Sequence, residues 1–353
     1  MNDSSVDTAA RGPMKLAVIG LGMASKPHLA ALRQLSDTVT VTGVFTRNPA
    51  RRAEVAAQTG WGAYDSVQAI CEDPEVDGAV IITPPNARAE IVAQLAQAGK
   101  HILMEKPVER CLRNAEGIVE TCESAGVTLG IVLQHRFRAG AEALGNLVQS
   151  GKLGRIHMAR VSVPWWRDQS YYDHAGRGRY DTDGGGVLIT QAIHVLDLML
   201  SLTGPVKTVS ALTGTTPLHN LEAEDFANAG LIFQSGALGS VMATTASYPG
   251  GAETLELDTE HAALRLTAGE LVIHWRSGQV ETIGEVTGSG GGSDPMDFPC
   301  DWHRDLIEDF SSSWREKRAP RITGRAALEV HRLIDAIERS AKNGRQENVE
   351  VAL

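Results

Sequence analysis

The chain has 353 residues, more than one ordinary core holds, so two domains are expected. Its 42% hydrophobic and 22% charged residues are those of a globular protein, and no apolar run reaches the roughly 20 residues of a membrane span. A formal net charge of −10 argues against a general nucleic-acid or membrane-surface role, although a local loop can still hold a phosphate.

Residues 1–13 are polar and acidic, without the basic start and apolar segment of a secretory signal, and read as a disordered leader. Short β-type runs then alternate with helical ones. Residues 15–20 form a strand, and 26–35 a helix that tolerates Pro27 near its start. A strand over Val39–Phe45 and a helix over 48–60 closed by glycine follow. Residues 76–82 are a strand whose apolar tail expects cover on both faces. A helix at 86–99, a strand at 101–104, a helix at 112–126 and a strand at 127–133 complete a βαβα order, the pattern of a doubly wound parallel sheet. A Rossmann-type dinucleotide domain is therefore set at 14–135 and a second α/β domain at 136–353.

Beyond Arg136 the rhythm changes. A helix at 141–150 leads into alternating runs from 156 to 283, read as an open, mostly antiparallel sheet built from hairpins. A helix near 186–202 is inserted in it. Helices at 301–317 and Gly324–Asn343 close the chain, with the option of packing back on the first domain. Residues 288–293, nearly all glycine and serine, read as a mobile loop. Cys71, Cys111, Cys122 and Cys300 form no CxxC pair and read as buried free thiols of a reducing cytoplasm. Neither HExxH nor paired Cys/His spacing appears, so no metal site is expected.

Gly20-Leu21-Gly22-Met23-Ala24-Ser25 follows the first strand and opens the first helix. Glycines there let backbone N–H groups approach a pyrophosphate, or else simply make a tight turn. The second strand ends Val44-Phe45-Thr46-Arg47-Asn48. It offers a hydroxyl and a guanidinium where an NAD site usually places a carboxylate, which favours NADP; Arg47 lying over an adenine face stays compatible with NAD. Thr83-Pro84-Pro85-Asn86 forces an extended exit from its strand, and either covers the nicotinamide ribose or only joins strand to helix. Glu105-Lys106-Pro107 presents an ammonium at a strand end, where it can hold an oxygen and favour developing negative charge; the alternative is a surface lysine. Gln134, just past the last strand of this half, joins the cofactor residues, as does Glu105.

Asp183-Gly184-Gly185-Gly186 lets the chain pass close to a ligand. The helix that follows places Thr190 and His194 on one face, with Leu188, Ala192, Val195 and Met199 toward the core. The alternative is a satisfied core histidine. Upstream, Trp166, Asp168, Tyr172 and Arg177 stand among aromatics interleaved with hydrogen-bonding groups. That composition suits a polyol, or an interface or loop-anchoring cluster.

Together these motifs resemble the Gfo/Idh/MocA oxidoreductase family, over nearly the whole chain from Lys15 to the last helix. Three segments carry the resemblance: Gly20-Leu21-Gly22, Glu105-Lys106-Pro107, and Gly184-Gly185-Gly186 with His194 and Asp197. It implies a Rossmann domain followed by an α/β domain whose open sheet makes a homodimer or homotetramer. It also implies NAD(P)-dependent oxidation of a secondary hydroxyl, or the reverse reduction, on a sugar or cyclitol. Lys106 matches the family's substrate-holding lysine and His194 its catalytic histidine. Two positions depart. Thr190 stands where an aspartate is common, and cannot act as a carboxylate base. Arg88 stands where many members carry a histidine.

The expected protein is thus a cytoplasmic NADP- or NAD-dependent sugar or polyol dehydrogenase. His194 takes the hydroxyl proton, Lys106 binds the same oxygen, and Thr190 orients the substrate or the imidazole. Two other readings stay open. One is a glycoside hydrolase that oxidises C3 transiently to acidify C2–H and eliminate the aglycone. The other is a non-enzymatic cofactor or sugar sensor, against which the intact Lys106 and His194 stand.

Overall fold

A computed structural model describes residues 12–174, 176–288 and 299–350; nearly all of the expected leader and most of the glycine-rich loop lie outside the described residues. The first six strands are β1 (Met14–Ile19), β2 (Val39–Phe45), β3 (Gly62–Ala63), β4 (Gly78–Ile81), β5 (His101–Glu105) and β6 (Leu129–Val132). They form one parallel sheet in the order 3-2-1-4-5-6. β4 and β6 are buried along their whole length, and β1 nearly so. Helices cover both faces: α1 (Ser25–Gln34), α2 (Pro49–Thr59), α3 (Val67–Glu72), α4 (Arg88–Gln97) and α5 (Leu112–Ser124). Strand order reverses between β1 and β4, which opens a crevice at their carboxyl ends beside the glycine loop.

Local chemistry sets the element ends. The Asn48 side chain accepts from the Ala50 and Arg51 N–H groups, Pro49 starts α2, and Gly60 ends it in the left-handed region at φ 76°. The expected helix at 86–99 instead divides into a 3-10 turn over Pro85–Ala87 and α4, because paired prolines hold the chain extended as it enters. β3 and α3 are too short for a periodic signal and were not foreseen.

The second sheet is built from β7 (Ile156–Pro164), β8 (Val206–Gly214), β9 (Phe226–Phe233), β10 (Leu238–Thr244), β11 (Thr254–Thr259), β12 (Ala262–Thr267), β13 (Glu270–Trp275), β14 (Val280–Ile283) and β15 (Glu347–Asn348). Its order is 14-13-12-11-7-10-9-8-15. The hairpin expectation needs one correction. β7 lies mid-sheet, parallel to β10 and antiparallel to β11, so the domain's first strand splits two hairpin runs. Burial alternates along β9, β11 and β12, as in a sheet with one covered face.

That face carries α6 (Ala139–Gln149), α8 (Ile193–Thr203) and α10 (Gly324–Asn343); the four-residue α7 is Gln169–Tyr172 and α9 is Asp301–Glu316. α9 packs on α1 and β6, and α10 on α5, so both closing helices return to the first sheet. The expected helix at 186–202 begins as a π-helical stretch, Leu188–Ala192, that runs directly into α8. Leu188, Ala192, Val195 and Met199 are buried there as expected. Among the cysteines only Cys122 is buried; Cys111 is exposed just before α5, while Cys71 and Cys300 sit half-buried at the core's edge. Among the described residues, no helix is long and apolar enough to cross a membrane.

Candidate active site

The residues expected to hold a dinucleotide lie at the carboxyl ends of β1, β2, β4 and β6. Gly20 has φ +103°, and a Cβ there would lie 2.8 Å from the Ile82 carbonyl carbon, so the loop can pass β4 only as glycine. Gly22 has open space where a Cβ would stand, and Leu21 is buried beneath it, whereas Met23 is exposed beside it. α1 starts after Ala24 with no side-chain cap and no acidic residue in its first turn, leaving the positive end of its dipole to suit an anion. At the end of β2, Thr46 is half-buried and Arg47 exposed. Arg51 of α2 adds a second guanidinium, which donates to the Leu21 carbonyl at 3.3 Å. Thr83 Oγ1 and Gln134 Oε1, at the strand ends flanking β5, are buried without a partner; Pro84 and Asn86 are exposed. An open glycine, an uncapped helix, two cations and two orphaned polar atoms fit a dinucleotide.

Lys106 leaves β5 half-buried, and its Nζ donates to the Thr190 carbonyl at 2.7 Å. Thr190 lies in the π-helical stretch, a distortion that recurs at functional sites. One ammonium N–H is used, and two remain for another oxygen. Burial lowers the ammonium pKa to about 8; Arg177 and Arg88 push the same way, against Glu105 and Asp183. The Thr190 hydroxyl donates to the Gly186 carbonyl at 2.5 Å and also contacts Gln191 Oε1, so it is engaged within its own turn.

His194 sits in the first turn of α8, 7% exposed, with Nδ1 unpartnered. Its ring stacks on His135 at 4.7 Å between centroids and 23° between planes. Burial holds its pKa well below the ordinary histidine value, with repulsion from Lys106 adding to it. The imidazole is therefore neutral and able to accept a proton. His135 Nε2 lies 2.7 Å from Arg138 Nη2; a guanidinium only donates, so this nitrogen accepts and the proton sits on Nδ1.

Two carboxylates hold the histidine's helix. Glu224 accepts from the Gly186 and Leu188 N–H groups, both at 3.0 Å, and its carbonyl takes the Val187 N–H at 2.9 Å. Asp197 takes both arms of the Arg136 guanidinium, at 2.7 and 2.6 Å. The sequence reading quoted Asp197 and missed Glu224, which lies on a distant segment.

It also missed the buried polar floor. Glu105 Oε1 lies 2.8 Å from His28 Nε2 and 4.0 Å from His303 Nε2, while Oε2 accepts from the Lys106 N–H at 3.0 Å. Burial would raise this carboxyl, but the His28 hydrogen bond and nearby positive charges hold it down to about 2. The candidate ligand atoms of His28, Glu105 and His303 all fall within 4.8 Å, a metal-type grouping invisible to local spacing. The direct His28–Glu105 contact accounts for it as a hydrogen-bonded network.

The aromatic stretch divides. Arg177 stands 3.9 Å from Asp183, and both act on the charge of Lys106. Tyr172 instead bonds Thr245 Oγ1 at 2.6 Å and packs on His219, as does Trp166. Asp168 is exposed and caps α7, accepting from Ser170 N at 3.1 Å.

The family described as "Oxidoreductase family, NAD-binding Rossmann fold" matches residues 14–132, and the GFO/IDH/MocA C-terminal domain matches 142–265. D-apiose dehydrogenase of Paraburkholderia graminis is 27% identical over 97% of this chain and 91% of its own. D-xylose 1-dehydrogenase (NADP(+)) 2 of Haloferax volcanii is 29% identical over 85% and 89%. The WlbA dehydrogenase from Bordetella pertussis, solved with NADH and UDP-GlcNAcA, superposes with TM-score 0.81 at 28% identity, covering 96% of this chain and all of that one.

Proposed function

This chain belongs to the Gfo/Idh/MocA oxidoreductase family, and on that premise we propose that it moves a hydride between a nicotinamide and a secondary hydroxyl or ketone of a sugar, sugar derivative or cyclitol. One observation carries the reading. The Lys106 ammonium is bonded to Thr190, one turn before the neutral His194, and repels a proton on that imidazole, so a cation and a proton acceptor stand close together.

A nicotinamide coenzyme supplies the hydride acceptor or donor, and the chain supplies the rest. Lys106 holds the carbinol oxygen with the N–H groups that Thr190 leaves free, and stabilises alkoxide character. His194 takes the hydroxyl proton in oxidation and returns it in reduction. Glu105 fixes the Lys106 backbone, and Arg177 and Asp183 face the substrate with Lys106. Trp166, Asp168 and Tyr172 are bound up with Thr245, His219 and the α7 cap, and are assigned no contact with substrate. Thr190 acts through its carbonyl rather than as a base.

The dinucleotide domain is 14–135 and the substrate domain 136–353. NADP is the preferred coenzyme on the strength of Arg47 and Arg51, and a relative named for NADP supports it. NADH in the WlbA structure supports NAD as the alternative. The chain assembles as a homodimer or homotetramer through the uncovered face of the second sheet, where exposed Leu238 and Ile232 face each other across β10 and β9. It works in the cytoplasm, a placement supported by four free cysteines.

The test is a panel of sugars and cyclitols with both coenzymes, followed at roughly 340 nm, the reduced nicotinamide band. Lys106→Ala and His194→Ala are expected to bind coenzyme yet lose most turnover. Near-parental rates in both would remove this mechanism.

A further inference from the structure

Arg88 opens α4, and its side chain is 2% exposed. A guanidinium has five N–H donors. Here Nε and Nη2 donate to the Thr83 carbonyl at 3.0 and 2.8 Å, and Nη2 also reaches the Lys106 carbonyl at 3.4 Å. Nη1 donates to the carbonyls of Glu105 and Pro107. No carboxylate shares these bonds; the whole fork is given to backbone. The four carbonyls belong to two turns, one leaving β4 and one leaving β5. Pro84, Pro85 and Pro107 deprive those turns of N–H groups with which they could bond each other. A planar fork supplies the missing donors in one rigid group.

We propose that Arg88 is a positioning residue that staples the turn at Thr83, on the coenzyme side, to the turn that presents Lys106. This rests on the dehydrogenase reading above and adds a residue to its machinery. The staple keeps the distance from the nicotinamide end of the coenzyme to the oxygen held by Lys106. Its charge has a second effect. Lys106 is faced by Glu105 from β5, Asp183 and Arg177 from the glycine-run loop, His194 from α8, His135 from the segment after β6, and Arg88 from α4. Burial is the main force lowering the lysine, and Arg88 is one of two cations that lower it further.

The experiment compares the full-length protein with Arg88→Lys, which keeps charge but loses the fork, and Arg88→Gln, which loses both. Dissociation constants for the complete coenzyme and for ADP, which stops at the pyrophosphate, are measured by calorimetry. Both variants are expected to bind coenzyme about tenfold more weakly, with ADP binding unchanged, because the glycine loop is untouched. Turnover on the sugar found in the panel is expected to fall about 100-fold, the scale of a 1 Å misplacement. The alkaline limb of the pH–rate profile moves up in Arg88→Gln and stays in Arg88→Lys. Equal loss of ADP and coenzyme binding, or parental turnover in Arg88→Lys, overturns the staple. If no sugar is turned over by the parent, the dehydrogenase reading fails, and the coenzyme–ADP comparison still decides the staple. Should neither variant fold, nitrogen-15 NMR of the parent decides: a slowly exchanging Arg88 Nε–H upholds it and a freely exchanging one refutes it.

Discussion

Among the described glycines, Gly186→Ala forces the closest clash. A Cβ at residue 186 would lie 1.7 Å from the Glu224 carbonyl oxygen and 2.7 Å from its carboxyl carbon, against 3.4 Å or more for ordinary contact. Backbone or Glu224 must therefore move by roughly 1.7 Å, the gap between that contact and an ordinary one. Three hydrogen bonds at 2.9–3.0 Å join Glu224 to residues 186, 187 and 188 and cannot all survive the move. Two go to a carboxylate and one to a carbonyl, so the loss is about 4–7 kcal/mol if none re-forms. That is a large part of the ~5–15 kcal/mol that holds a typical domain folded. The turn also carries Thr190 and leads into His194, so residual folded protein is expected to lose turnover about 100-fold while coenzyme affinity stays parental. Gly145→Ala is the control. Gly145 lies inside α6 with nothing within 4 Å of its Cβ position, and alanine there stabilises a helix by roughly 0.5–1 kcal/mol. Thermal melts, coenzyme titration and turnover of both variants test the argument. A Gly186→Ala protein with parental melting temperature and rate would refute it.

Other outcomes follow from the same geometry. Burial lowers Lys106 to about 8 and holds His194 well below its ordinary value. The oxidation rate should be flat over about pH 6–7 and fall to half near pH 8 as the ammonium is lost; a limb centred on the ordinary lysine value, or a rise centred on the ordinary histidine value, would contradict these assignments. On the proposed NADP preference, in which Arg47 holds a 2′-phosphate, Arg47→Ala should weaken NADPH by about tenfold and leave NADH nearly unchanged; equal effects on the two coenzymes in a binding titration would place the guanidinium over the adenine instead. Burial raises Glu338 from 4.5 to about 8, with Glu224 and Asp335 repelling it. Its folded pKa exceeds the unfolded one, so the folded state binds the proton more tightly and stability is lost as pH rises through about 8. Glu338→Gln should therefore raise the melting temperature more at about pH 8.5 than at about pH 5.5; an equal gain at both would refute the assignment.

Much of this protein is written in local patterns. The turn from β1 into glycines, the Asn48 and Gly60 caps, and a lysine at the end of β5 each depend on neighbours within a few residues. Period 2 and period 3.6 reveal long elements for the same reason, whereas β3, α3 and β15 are too short to show any repeat. Packing alone decided the rest. Strand β7 lies parallel to β10 because strands from two later hairpin runs pair on its two edges, which no hairpin signal encodes. His28, Glu105 and His303 meet from a helix, a strand and a distant helix, and Arg88 meets carbonyls up to 19 residues away. Buried polar groups need partners wherever the chain can bring them, and a partner found across the fold leaves no periodic trace between the two positions.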